Sequence, residues 1–173
     1  MSIHLQALTA SEYSTWFDAS TLNYAKDKVR AKQWSQEGSL EQAQKDTQRL
    51  LPQGIDTENH HICHIINSSS DECVGSLWWC VTERFGRRVL FIFDLHIHEA
   101  YRRKGFATAA LKHLEAQARS EGIEALSLHV FAFNKGAYEL YNKLGYATTS
   151  FNMTCELNDF TSPASPHQPI REN

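Results

Sequence analysis

The sequence predicts a mixed α/β (α+β) domain: a central, mostly antiparallel sheet flanked by about four helices. Three observations carry this. Residues 60–97 hold three apolar, strand-like runs joined by short turns, the pattern of an antiparallel meander. Two helix-periodic stretches precede them, and two more follow, separated by one apolar strand. A length of 173 residues, 42% hydrophobic and 21% charged, suits one domain with a sizeable core.

Each element has its own signal. Ile3 to Leu8 alternates apolar and polar residues, as a first strand does. Thr9 or Ser11 can cap a helix over about 10–33, in which Tyr13, Trp16, Phe17 and Tyr24 fall at helical spacing. Lys26, Asp27, Lys28 and Arg30 give that helix a solvated face. A second helix is predicted over 39–51, with Leu40, Ala43, Thr47 and Leu50 as its inner stripe and Pro52 and Gly54 ending it. Strands follow over 60–66, 73–82 and 87–97, with turns at 68–71 and 83–86. A helix over 104–121 buries Ala107, Ala110, Leu111, Leu114 and Ala118, and Gly122 closes it. Ala125 to Phe131 is apolar enough for a buried strand. A short helix over 135–143 stops at Gly145, and 146–149 with 151–157 read as a final hairpin. Residues 1–157 form the expected domain. Residues 158–173 form a tail without periodicity, expected to be disordered despite Pro163, Pro166 and Pro169 at intervals of three.

Composition narrows the function. A net charge of −3 gives no electrostatic case for nucleic acid or a membrane surface. No apolar run approaches a membrane span, and the first residues lack a signal-peptide pattern, so a cytoplasmic location is expected. Cys63, Cys73, Cys80 and Cys155 form no C-x-x-C pair and are expected to be buried, reduced thiols. His60, His61, Cys63 and His64 cluster in sequence, but a strand sends His60 and His64 to one face and His61 and Cys63 to the other. No metal site is predicted.

The most informative segment is Arg102-Arg103-Lys104-Gly105-Phe106-Ala107, set between a strand and a helix. The first N–H groups of a helix lack internal partners, and the helix dipole is positive there. Gly105 lets backbone approach a ligand, Ala107 keeps the next position small, and the basic side chains add charge suited to phosphate. The segment lacks the two-glycine spacing and Lys-Ser/Thr end of a nucleotide P-loop.

Arg102, Gly105 and Ala107 match the cofactor pattern of the GNAT superfamily of acetyl-CoA-dependent N-acetyltransferases, which this chain resembles. A second block, Asn134-Lys-Gly-Ala137-Tyr-Glu-Leu140-Tyr141-Asn-Lys-Leu144-Gly145-Tyr146, follows in that family's order. The resemblance spans about residues 72–157 and implies a splayed sheet, acetyl-CoA as acetyl donor and an amine acceptor. It places pantetheine contacts on the backbone of Leu95, His96 and Ile97. Pyrophosphate contacts fall on Arg102, Arg103, Lys104, Gly105, Phe106, Ala107 and Thr108. Asn134 is implied to bond the cofactor arm, a place where Asn also serves as a helix cap. Tyr141 is implied as the acid beside the leaving sulfur, because a phenol stays protonated near neutral pH.

The base is less legible. Relatives often carry Glu where Phe93 stands here. Asp94 is adjacent, and strand alternation puts it on the face opposite Phe93. Asp94 therefore has three open roles: action through a water, a structural carboxylate, or a grip on a substrate amine. His96, on the same face, is a further candidate. Trp34, His60, His61 and Trp78 are candidate acceptor contacts, and Glu37 and Glu41 could favour a cationic acceptor. The expected activity is acetyl transfer to an amine of a small molecule or peptide, by a monomer or homodimer. The missing acid at Phe93 keeps a non-catalytic acyl-CoA-binding sensor as the alternative.

Overall fold

The computed structural model describes residues 2–84, 86–155 and 157. Five strands lie in one sheet in sequential order: β1 (Ile3–Ala7), β2 (His60–Asn67), β3 (Glu72–Arg84), β4 (Arg87–Ile97) and β5 (Ala125–Leu128). The first four pair antiparallel, and β5 joins β4 parallel. Four helices flank the sheet: α1 (Ala10–Arg30), α2 (Ser39–Leu50), α3 (Phe106–Ser120) and α4 (Lys135–Lys143). The Pro-spaced tail lies outside the described residues.

Alternation along the strands builds two cores. Ile65, Val74, Leu77, Trp79, Leu90 and Ile92 face α3, whose Ala110, Leu111, Leu114 and Ala118 fill that side. Ile62 and Trp78 face the opposite way and pack on Leu8, Trp16 and Leu51. Trp16 meets Trp78 edge-on at 5.5 Å between ring centroids. Local chemistry sets the helix ends. The Glu12 carboxylate reaches back to accept from the Thr9 N–H at 2.8 Å and the Thr9 hydroxyl at 2.6 Å, fixing the start of α1. At the end of α3 the N–H groups of Gly122 and Ile123 turn back to the carbonyls of Arg119 and Ala118.

Several expectations change. In α2 the buried residues are Ser39, Ala43 and Thr47, while Leu40 and Leu50 are exposed. The helix contributes a narrow stripe of small residues, so its leucines stay outside. In α3 the first core residue is Phe106, with Ala107 only half-buried. The strand expected over 125–131 ends at Leu128 and is half-buried throughout, since nothing beyond Ile92 of β4 pairs with it among the described residues. Residues 146–155 carry no strand, so the expected hairpin does not form there, and Glu156 lies outside the described residues. Cys63 and Cys80 are buried, but Cys155 is exposed.

Candidate active site

The site begins with a parting of strands. β4 pairs with β5 only from Val89 to Ile92, yet it runs on to Ile97. Among the described residues, Phe93 to Ile97 therefore have no strand partner on the β5 side, which leaves a gap there. Within this stretch β4 carries a bulge: Trp78 pairs with Asp94 and Trp79 with Ile92, so Phe93 is the extra residue. The bulge corrects the alternation expected from sequence. Phe93 packs in the Trp78 cluster on the α1 side, and Asp94, opposite Trp78, faces the same side. Leu95 and Ile97 pack against the α3-side core, while His96, opposite Ser76, shares the face of Asp94.

Beyond β4 the chain makes a short turn and enters α3. Arg103 and Gly105 have positive φ, 62° and 87°, which curls the backbone ahead of the helix. Gly105 adopts this left-handed form without the strain a Cβ brings. Arg102 to Gly105 are exposed, and the first N–H groups of α3 open at the turn. The basic residues divide their work. Arg102 Nε donates to the Ile97 carbonyl at 3.0 Å, clamping the turn onto the end of β4. Arg103 leans across to α4, with Nη1 3.7 Å from where a Cβ on Gly136 would stand. Lys104 Nζ lies 5.6 Å from the Tyr101 ring centre. Phe106 is a core side chain that meets Tyr101 edge-on, so it can offer a phosphate only its backbone.

The second block closes the gap from the other side. Asn134 caps α4, its side-chain oxygen accepting from the Ala137 N–H at 3.3 Å. Two turns on, Tyr141 sits against the α3-side core with its ring 5.6 Å from that of Tyr146. Its phenol is pushed up to about 12, first by burial and then by the negative charge of Asp94. Asp94 is itself raised to about 6, mainly by burial and then by the Asp27 carboxylate, against an opposing hydrogen bond from the Leu95 N–H. Burial, then the positive charge of Arg102, then His98, holds the His96 imidazole below its ordinary value.

The α1 side of the gap is aromatic. Phe93 stacks on Trp78 at 4.5 Å and on His60 at 5.4 Å. Trp78 Nε1 donates to His60 Nδ1 at 3.0 Å. Trp78 is buried and His61 stacks on Trp79 on the other face, while His60 stacks on Phe93 beside the gap and Trp34 lies against Lys28. Glu41 is exposed and pairs with Lys45 at 2.6 Å. Sequence reading missed Asp27, placing it on a solvated face. It is half-buried and close enough to Asp94 to raise it. It also missed Lys28, whose Nζ lies 5.3 Å from the Trp34 ring centre and 5.9 Å from that of Phe131, and half-buried His129 just past β5. The spacing Tyr13, Phe17, Tyr24, Asp27 along one helical stripe was the available signal.

The comparisons with known proteins bear on this geometry. A profile of the acetyltransferase (GNAT) family matches residues 23–146. The chain belongs to the GNAT family. Over 157 residues it is 36% identical to YycN and 33% identical to YdgE, two Bacillus subtilis proteins that each carry the name uncharacterized N-acetyltransferase. Each match covers 91% of this chain, with 100% of YycN and 99% of YdgE. The crystal structure of YycN superposes with a TM-score of 0.85 at 35% identity, covering 90% of this chain and 99% of that one. A Pyrococcus furiosus structure, at 22% identity and a TM-score of 0.67 over 89% of this chain, shares the fold. Among the described residues no helix is long and apolar enough to cross a membrane.

Proposed function

We propose that this GNAT acetyltransferase moves the acetyl group of acetyl-CoA to a primary or secondary amine. The observation that carries the reading is the parting of β4 from β5 after Ile92, which leaves Asp94 on β4 beyond the last rung, followed by a basic turn at the start of α3. The cofactor fits the residues present. The curled backbone at Arg103 and Gly105 and the first N–H groups of α3 suit the pyrophosphate, Arg103 and Lys104 adding charge. The edge of β4 from Leu95 to Ile97 that β5 does not cover suits the amides of the pantetheine arm, with Asn134 as the implied partner from α4. When bound, acetyl-CoA supplies an activated thioester.

The side chains divide the proton work. An amine must be neutral to attack. Asp94, ionised above about pH 6, accepts the proton the nitrogen sheds as the C–N bond forms, directly or through a water. Tyr141 remains a phenol at any ordinary pH and, with acetyl-CoA bound, would offer its O–H to the departing sulfur as the C–S bond breaks. Handing that proton over completely would be uphill, because a thiol near 8.5 is a stronger acid than a phenol near 12, by about 5 kcal/mol. Tyr141 therefore acts by donating a hydrogen bond to the developing thiolate. The acceptor enters from the α1 side, where Asp27 and Asp94 together favour a cationic amine and His60 and Phe93 give an aromatic wall.

Thiol release from acetyl-CoA across a panel of amines and short peptides tests this, with binding followed by calorimetry. Turnover with a cationic amine is expected. Tight binding without turnover by any amine would instead favour a non-catalytic acyl-CoA sensor, consistent with Phe93 standing where relatives often carry Glu. Absence of binding would overturn the assignment of the 102–108 turn.

A further inference from the structure

Away from the β4–β5 gap, a thiol, an imidazole and a carboxylate converge. Cys73 Sγ lies 3.4 Å from His64 Nδ1, and His64 Nε2 lies 3.3 Å from Glu12 Oε1. The three groups come from β3, β2 and α1. A bulge brings the first two together. Ile65 pairs with Gly75 and Ile66 with Cys73, so Val74 is the extra residue. Val74 packs with Leu77 in the α3-side core, and Cys73 turns to the other face, where it meets His64. Cys73 and His64 are both half-buried, so a small reagent can reach them.

The hydrogen bonds decide where the protons sit. Glu12 Oε2 accepts from the Thr9 hydroxyl and N–H, and those bonds hold the Glu12 carboxyl below its ordinary value. A carboxylate can only accept, so a neutral His64 carries its proton on Nε2. Nδ1 is then a lone pair facing the thiol. Nucleophile, base and orienting carboxylate stand in the order that activates a thiol. Burial, with a smaller push from the Glu12 charge, holds the Cys73 thiol above its ordinary value, against a bond to the Gly75 carbonyl. Water alone therefore leaves it a thiol. A thiolate forms only if the proton stays beside it on His64, where Glu12 pairs with the imidazolium. The other thiols lack this neighbour among the described residues: Cys63 and Cys80 are buried, with Cys63 pushed up to about 11 by burial, and Cys155 is exposed.

We propose that Cys73, His64 and Glu12 form a second, covalent site, at which the Cys73 sulfur exchanges with low-molecular-weight disulfides. The thiol passes its proton to His64 Nδ1. The Cys73 sulfur attacks one sulfur of the disulfide, the new S–S bond forms as the old one breaks, and the departing thiolate takes the proton from Nδ1. The products are a mixed disulfide on Cys73 and one free thiol, and the disulfide reagent is the only oxidant the step requires. The inference does not depend on the acetyl-transfer chemistry.

The test treats the full chain with glutathione disulfide and follows Cys73 and Cys155 separately by peptide mass spectrometry. Cys155, exposed and without an imidazole partner, is the internal reference. At pH 7 Cys73 is expected to react at least about tenfold faster than Cys155, and that ratio is expected to fall at least about tenfold in His64→Gln. Glu12→Gln keeps a residue able to complete the cap on Thr9 but replaces the carboxylate, and is expected to lower the ratio by a smaller factor. The pH profile of the wild-type chain gives a readout that needs no variant. With His64 as base, the Cys73 rate levels off once the imidazole is neutral, while the Cys155 rate still climbs as its thiolate forms. Cys73 reacting more slowly than Cys155 would mean that burial wins, and the proposal fails. An unchanged ratio in His64→Gln, or two rates that climb in parallel with pH, also overturns it.

Discussion

Gly75 sits in β3 opposite Ile97, where the end of β4 presses closely on its neighbour. A Cβ added there would stand 2.0 Å from the His96 carbonyl oxygen and 3.0 Å from the Ile97 Cα. Heavy atoms in comfortable contact keep about 3.5 Å apart, so β4 must withdraw by more than an ångström. Both clashing atoms are backbone, and no rotamer change relieves them. We therefore expect Gly75→Ala to lose about 1–3 kcal/mol to overpacking. One strained ladder bond adds about 1 kcal/mol. At about 2–4 °C per kcal/mol for a chain of this size, Tm falls by roughly 5–15 °C. The matched control is Gly122→Ala, where a Cβ meets nothing within 4 Å but the backbone φ is +67°. That variant should lose only about 1–2 kcal/mol, the strain of a left-handed residue. Thermal melts by circular dichroism compare the two. Because the displaced stretch is Leu95 to Ile97, acetyl-CoA affinity should fall in Gly75→Ala alone. A Gly75→Ala protein that melts no lower than the control and binds acetyl-CoA normally would refute the reasoning.

Other outcomes follow from the gap itself. Tyr141→Phe should lower kcat by at least about tenfold with acetyl-CoA binding retained; unchanged turnover in steady-state assays would take Tyr141 out of the reaction. Asp94 is a carboxyl raised by folding from its ordinary 3.8 to about 6. Relative to its value below about pH 3.8, stability falls by about 3 kcal/mol in all as pH rises through about 6, because the folded state then carries a buried charge. Asp94→Asn should therefore raise Tm relative to wild type above pH 6 and abolish the acid limb of kcat/KM near pH 6 while lowering activity; equal melts throughout that range would contradict the burial argument. Asp27→Asn removes the neighbouring charge, so the acid limb should move to lower pH and KM for a cationic acceptor should rise; a limb that stays in place would separate Asp27 from the site.

Much of this was legible because local pattern and tertiary position agreed. The strands from 60 to 97 were readable from their apolar runs and the short turns that join them, although bulges interrupt their alternation. The helix at 106–120 was readable from its small-residue stripe and its closing glycine. Other features depended on information that sequence periodicity does not hold. A single inserted residue at Phe93 turns Asp94 to the α1 side, and nothing in Ile92-Phe93-Asp94-Leu95 announces a bulge. Arg102 reads as a phosphate fork until the Ile97 carbonyl is found to occupy its Nε. Asp27 reads as solvated because its partner lies across space on β4. The alternation at 151–157 reads as a strand, yet residues 151–155 form none, since alternation alone does not supply a pairing partner.

The shortness of the β4–β5 pairing has a consequence for how the molecule breathes. Four rungs hold β5, its residues are all half-buried, and α4 buries none of its own. The half that carries Asn134 and Tyr141 is thus a low-stability unit leaning on a firm meander of four antiparallel strands. Amide protons there are expected to exchange through local opening that leaves β2, β3 and the first half of β4 protected. A molecule that spans the gap ties the two units together, and the entropy of quieting the weaker one is drawn from its binding energy. Affinity for the donor and order in the acceptor-side helix are then two readings of one equilibrium.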